Sequence, residues 1–88
     1  MASVRNLKKD LNNTYGAIID GALIHQVSAP KEDQNKSEAL IEDVITDFDQ
    51  IILEINKKDV ENRSKHLRSV NHKMEENANQ FIERLNSL

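Results

Sequence analysis

Residues that form tight turns are nearly absent from this chain. Its 88 residues include only two glycines and one proline. An all-β protein needs turn-forming clusters about every ten residues, so this scarcity argues against a β-sheet fold. The apolar residues recur instead at steps of three and four, which places them on one face of an α-helix. The sequence therefore predicts an all-α protein.

The periodicity predicts three helices, over residues 4–27, 36–56 and 59–87. Helices of this length joined by short connections pack antiparallel to their neighbours in the chain. We therefore expect residues 1–88 to form a single domain, an antiparallel (up-down-up) three-helix bundle. The predicted core stripes are Val4, Leu7, Leu11, Tyr15, Ile18 and Ala22, then Ile41, Val44, Ile45, Phe48, Ile51, Ile52 and Ile55, and finally Val60, Leu67, Val70, Met74, Ala78, Phe81, Leu85 and Leu88.

The predicted helix ends rest on local signals. Ser3 is a typical N-cap for the first helix, and Asp59 is one for the third. Asn35, followed three residues later by Glu38, fits a capping box at the start of the second helix. Pro30 ends the first helix because the residue before a proline avoids the α conformation.

Composition narrows the functional classes. There is no cysteine, which excludes disulfides and thiolate chemistry, and the net charge of −3 gives no general attraction to nucleic acid or anionic lipid. The segment Tyr15–Val27 is the most apolar, but it is shorter than the roughly 20 residues that span a bilayer and contains Asp20 and His25. The first ten residues do not resemble a signal peptide. We expect a cytoplasmic protein without a membrane segment.

The titratable residues do not form a recognisable catalytic or metal motif. Helical di-iron sites use Glu-x-x-His pairs, whereas Ala22, Arg63 and Ser69 stand three residues before His25, His66 and His72. The acidic row on the second helix (Glu42, Asp43, Asp47, Asp49 and Glu54) is typical of a solvated face. We expect His25 to border the core, partly covered. The sequence predicts no enzyme activity, no metal site and no cofactor.

One surface remains after the core is assigned. On a helical wheel the outer side of the first helix carries Gly16, Ala17, Asp20, Gly21, Leu23, Ile24 and Val27. Glycine destabilises a helix interior by about 1 kcal/mol relative to alanine, and small residues allow another backbone to approach closely. This patch is covered either by the linker that follows or by a second chain, most simply a twofold-related copy. The main functional hypothesis is therefore a non-catalytic protein–protein interaction or self-association module.

A basic patch supplies the alternative. Lys57, Lys58, Arg63, Lys65 and Arg68 lie close together in the sequence and could serve a small-ligand-binding or nucleic-acid-binding protein. The run lacks interleaved aromatic residues and is interrupted by acidic ones, which argues against nucleic acid. Pairing with acidic residues of the second helix would also explain these charges. The identity of any small molecule stays open.

Residues 2–10, 37–39 and 59–62 resemble segments of short all-helical bacterial proteins with no assigned activity. These segments are helix starts, and the resemblance extends over nearly the whole chain. It implies a compact helical fold and transfers no site residue.

Overall fold

The computed structural model describes residues 3–31 and 34–88 and contains three helices, α1 (Val4–Ser28), α2 (Asn35–Asn56) and α3 (Arg63–Asn86). No strand is present in those two ranges, and all three helices pack against one another in a body about 51 Å long. The predicted all-α three-helix bundle is confirmed. The expectations that concerned residues 1–2 and 32–33 lie outside the described residues.

Contacts between side chains and backbone show that α2 and α3 run in opposite directions. Arg84 Nη1 lies 2.7 Å from Asp43 Oδ2, and His66 Nε2 lies 2.6 Å from the carbonyl oxygen of Glu54. The residue number therefore rises along α2 as it falls along α3. The topology is up-down-up, as the short connections require.

The core lies where the three apolar stripes meet. Its buried apolar residues are Leu7, Leu11, Tyr15, Ile18 and Ala22 of α1, Leu40, Val44, Ile51 and Ile55 of α2, and Leu67, Val70, Met74 and Ala78 of α3. Leu40 is buried although it was not predicted, whereas Ile45, predicted as core, is 48% exposed. Ile45 is displaced by about 100° around α2 from the buried Val44, so it lies at the edge of the stripe.

The start of α1 is as predicted. Ser3 caps it, and its Oγ accepts a hydrogen bond from the backbone N–H of Asn6 at 3.2 Å. The predicted capping box at α2 is wrong, because Asn35 already lies inside the helix and Gln34 occupies the N-cap position. The hydroxyl of Ser37 donates instead to the carbonyl oxygen of Gln34 at 3.0 Å.

The start of α3 lies later than predicted. Asn62, not Asp59, is its cap, and its side-chain oxygen accepts from the backbone N–H of Lys65 at 3.1 Å. The preceding residues therefore form a connection, and Val60 stands outside the helix. Asparagine and aspartate are comparable caps, so the sequence offered two candidate starts three residues apart.

A polar junction in the middle of the bundle joins all three helices. The Tyr15 hydroxyl donates to Asp47 Oδ2 at 2.5 Å, and Asn77 Nδ2 donates to the same carboxylate at 3.0 and 3.2 Å. Phe48 and Phe81 flank the tyrosine ring, with centroids 6.5 and 5.7 Å away. Asp47, expected on a solvated acidic face, is thus half-buried, because it lies on the side of α2 that faces α3.

Candidate interaction surface on α1

Three large apolar side chains project from the last two turns of α1. Leu23, Ile24 and Val27 are 46%, 65% and 81% exposed, and we call them the outer apolar surface. Ile24 lies about 120° around the helix from the buried Ile18, so it cannot reach the core. These side chains contribute little to the burial that stabilises the bundle.

The linker does not shield this surface within the described residues. Pro30 and Lys31 are themselves exposed. Gln34 turns back toward the end of α1, where its Nε2 donates to the carbonyl oxygen of Ala29 at 2.9 Å. The described part of the linker therefore leaves the outer apolar surface open. This argues against the alternative in which the linker covers the predicted patch.

The rest of the predicted patch divides into two groups. Ala17 and Asp20 are exposed, and Gly16 is half-buried with no atom within 4 Å of the position a Cβ would occupy. These three residues lie one to two turns before the outer apolar surface, on the same side of α1. The small size of Gly16 and Ala17 leaves the backbone of α1 accessible there.

Gly21 belongs to the other group. A Cβ on Gly21 would lie 2.9 Å from Cδ2 of Leu85, so this residue faces α3 inside the bundle. The prediction that Gly21 lies on the outer side is wrong, because its wheel position falls between the outer face and the core. Its lack of a side chain makes room for Leu85, which is partly buried and packs against the core.

Apolar residues of α2 lie next to the outer apolar surface. The hydrogen bond from Gln26 Nε2 to Ser37 Oγ, at 2.8 Å, joins the end of α1 to the start of α2, and the Tyr15 bond joins their middles. Ile19 and Leu23 therefore face the stretch of α2 between those bonds. That stretch contributes Ile41, which is half-buried, and the exposed Ile45.

Acidic side chains predominate around this surface, and the exposed Lys31 of the linker is the cation that follows it in the sequence. There is no lysine or arginine from residue 10 to 30 or from 37 to 56. The exposed carboxylates on the outer sides of α1 and α2 are those of Asp20, Glu38, Glu42 and Asp49. Asp43 has a basic partner in Arg84 at 2.7 Å, on the side of α2 that faces α3. The absence of cations from both segments was visible in the sequence, and the fold brings the segments together.

The predicted basic patch lies at the opposite end of the bundle. Lys57 and Lys58 are in the connection before α3, whereas Arg63, Lys65 and Arg68 lie in its first two turns, and all five are exposed. Among the described residues no salt bridge joins these five to α2, so the expected pairing is not found.

A shallow groove between α1 and α3 adjoins the basic patch. Lys9, Asp10 and Arg68 are among its lining residues. The basic side chains here are mixed with an acidic one and spread along the groove. Nothing in this arrangement selects a particular ligand.

The histidines do not converge. His25 is half-buried, in line with its predicted boundary position, and His72 Nε2 lies 3.0 Å from Glu76 Oε1 on an exposed part of α3. His66 contacts the end of α2 through a backbone oxygen. In residues 3–31 and 34–88 no group of three or more His, Asp or Glu side chains is placed to hold a metal ion, and no helix is long and apolar enough to cross a membrane.

Comparisons with protein-family models, curated proteins and solved structures find no match to this chain.

Proposed function

We propose that this protein is a non-catalytic interaction module, which binds another polypeptide through the outer apolar surface of α1. The observation that carries the proposal is the exposure of Leu23, Ile24 and Val27. They lie within five consecutive residues on one side of a helix, so a partner would cover them together. Contiguous exposed apolar residues with a polar rim are typical of binding surfaces.

The shape of the surface favours a polypeptide over a small molecule. Leu23, Ile24, Val27 and Ser28 line only a shallow depression on the convex side of the helix. A small molecule needs a cleft that buries most of its own surface. A helix or an extended segment can instead lie along α1 and bury the three side chains at once.

The small residues earlier in α1 support the same reading. The open space around Gly16 and the short side chain of Ala17 let a partner backbone approach α1 closely. A partner that lies along the helix would contact these positions and the outer apolar surface together. We expect this binding to take place in the cytoplasm.

Site-specific photo-crosslinking tests the proposal. A photoreactive phenylalanine analogue is introduced at Val27, and in a matched variant at Glu76, an exposed position on α3. Irradiation in the cells that produce the protein should yield a discrete polypeptide adduct from position 27 and little from position 76. The adduct's mass distinguishes a second copy from another protein.

Adducts of equal yield from both positions would indicate random collisions and contradict the proposal. The absence of any discrete adduct from position 27 would contradict it as well. Both variants carry the analogue at exposed positions, so circular dichroism should show that both keep the helical fold.

A further inference from the structure

We propose that the partner of this surface is a basic amphipathic helix of another protein. This inference rests on the function proposed above and names the chemistry of the partner. It combines two independent observations, the apolar track that crosses from α1 to α2 and the acidic residues of both helices that border it.

The apolar track is wider than the outer apolar surface alone. Leu23 of α1 and Ile45 of α2 are each close to half exposed, with Ile19 and Ile41 half-buried between the same two helices. Two adjacent helices that expose apolar residues along their shared side form an apolar binding surface for a third helix. An amphipathic helix binds such a surface with apolar residues at i, i+3, i+4 and i+7.

The rim of the track is acidic. Asp20 borders it on α1, and Glu38, Glu42 and Asp49 border it on α2, all exposed. No lysine or arginine from these stretches of α1 and α2 offsets them. Complementary charges fix the orientation of a partner and speed its association, whereas like charges brought together across an interface weaken binding. The polar side of the bound helix should therefore carry lysine or arginine.

The same charges disfavour a twofold dimer through this surface. A twofold interface brings the same patch of each subunit together, so the acidic rims of α2 would face each other. The basic start of α3 in a second copy could face the acidic rim, but it offers no apolar stripe for the track. The apolar residues Leu67, Val70 and Met74 of α3 are buried in the core of that copy. A folded copy thus offers no basic amphipathic helix.

A designed peptide pair tests the inference. One peptide of about 18 residues, roughly five helical turns, carries leucines on one stripe and lysines elsewhere, and the other replaces every lysine by glutamate. Fluorescence anisotropy with the full chain should show at least about tenfold tighter binding of the lysine peptide. Raising the NaCl concentration from about 50 to about 500 mM should weaken that binding by about threefold or more.

Matched variants locate the binding. Glu42→Lys reverses a rim charge and should weaken the lysine peptide by about threefold to tenfold, whereas Asp59→Lys makes the same charge change at the other end and should have little effect. Ile45→Ser should also weaken binding, since it removes an apolar contact of the track. These three positions are exposed, so each variant should keep the wild-type helix content.

The outcomes separate this inference from the proposed function. Equal affinity for both peptides, no saturable binding of the lysine peptide, or equal effects of Glu42→Lys and Asp59→Lys would overturn the basic helix. A crosslinked adduct from Val27 would still support an interaction surface in those cases. A concentration-dependent dimer in sedimentation velocity, lost in Ile24→Glu, would overturn the inference and leave the proposed function standing with a second copy as partner.

Discussion

The inner and outer faces of α1 both carry apolar residues, but those of the inner face are buried and those of the outer face are exposed. Leu11 on the inner face is fully buried, whereas Leu23 and Val27 on the outer face are 46% and 81% exposed. The hydrophobic effect stabilises the fold only in proportion to the apolar area removed from water. The inner face therefore makes the bundle, and the outer face leaves its apolar area available to a partner.

The largest expected difference between the two faces of α1 comes from truncating one side chain on each face to alanine. Leu11→Ala should lower the free energy of unfolding by about 2–5 kcal/mol, because it removes buried contacts and leaves a cavity. Val27→Ala, which changes an exposed side chain, should alter it by about 0.5 kcal/mol or less. Urea denaturation followed by circular dichroism measures both values. Similar losses in the two variants would mean that the outer face is part of the folding core.

The inner face also carries the polar junction, and Tyr15→Phe tests what it contributes. This substitution keeps the ring between Phe48 and Phe81 but removes the donor to Asp47. The loss should be about 1–3 kcal/mol, since among the described residues the half-buried carboxylate keeps only Asn77 as a donor. An unchanged urea midpoint would show that water replaces the hydroxyl without loss.

The same junction predicts a dependence of stability on pH. Burial, and next the hydrogen bond to Asp47, raise the pKa of Tyr15 above its ordinary value. The folded state therefore binds the phenolic proton more tightly than the unfolded state, so this contribution is complete below pH about 10 and declines as the pH rises further. The free energy of unfolding should fall more steeply above pH 10 in the wild type than in Tyr15→Phe. If the free energy of unfolding fell equally with pH in the wild type and in Tyr15→Phe, this account of the junction would be contradicted.

The two glycines give a smaller contrast between the faces. Gly16→Ala should stabilise the protein by about 0.5–1 kcal/mol, because the helix gains propensity and the new methyl group meets no atom. Gly21→Ala should gain less or lose stability, since its Cβ would lie 2.9 Å from Cδ2 of Leu85. Thermal melts of both variants measure the difference. A larger gain at Gly21 than at Gly16 would contradict the packing of Gly21 against α3.

The periodicity of the sequence predicted which residues of a single helix face the core. The stripe of α1 from Leu7 to Ala22 is buried as expected, because one residue in three or four along a helix faces a neighbour wherever that neighbour lies. The sequence also placed Ile24 and Val27 outside the core stripe, since they lie too far around the helix from Ile18. Both predictions follow from the rotation of about 100° per residue along one helix.

Features that depend on how helices meet were not predicted. Asp47 looks like its solvated acidic neighbours, and only the approach of Tyr15 and Asn77 makes it a junction. Gly21 similarly looks like Gly16 until Leu85 is placed against it. The start of α3 was misplaced because Asp59 and Asn62 are equivalent caps by local chemistry. Contacts between helices decided the cases of Asp47 and Gly21, whereas the local bond between Asn62 and Lys65 marks the start of α3.

The most direct test of the central claim is the yield of the polypeptide adduct from position 27 when Ile24 is changed to glutamate. Ile24 is 65% exposed, so the Ile24→Glu chain should fold with nearly unchanged stability, while the new charge prevents a partner from covering the surface. We predict that the adduct disappears although the melting temperature stays within a few degrees of the wild type. An undiminished adduct from the folded variant would show that the outer apolar surface of α1 does not bind the partner.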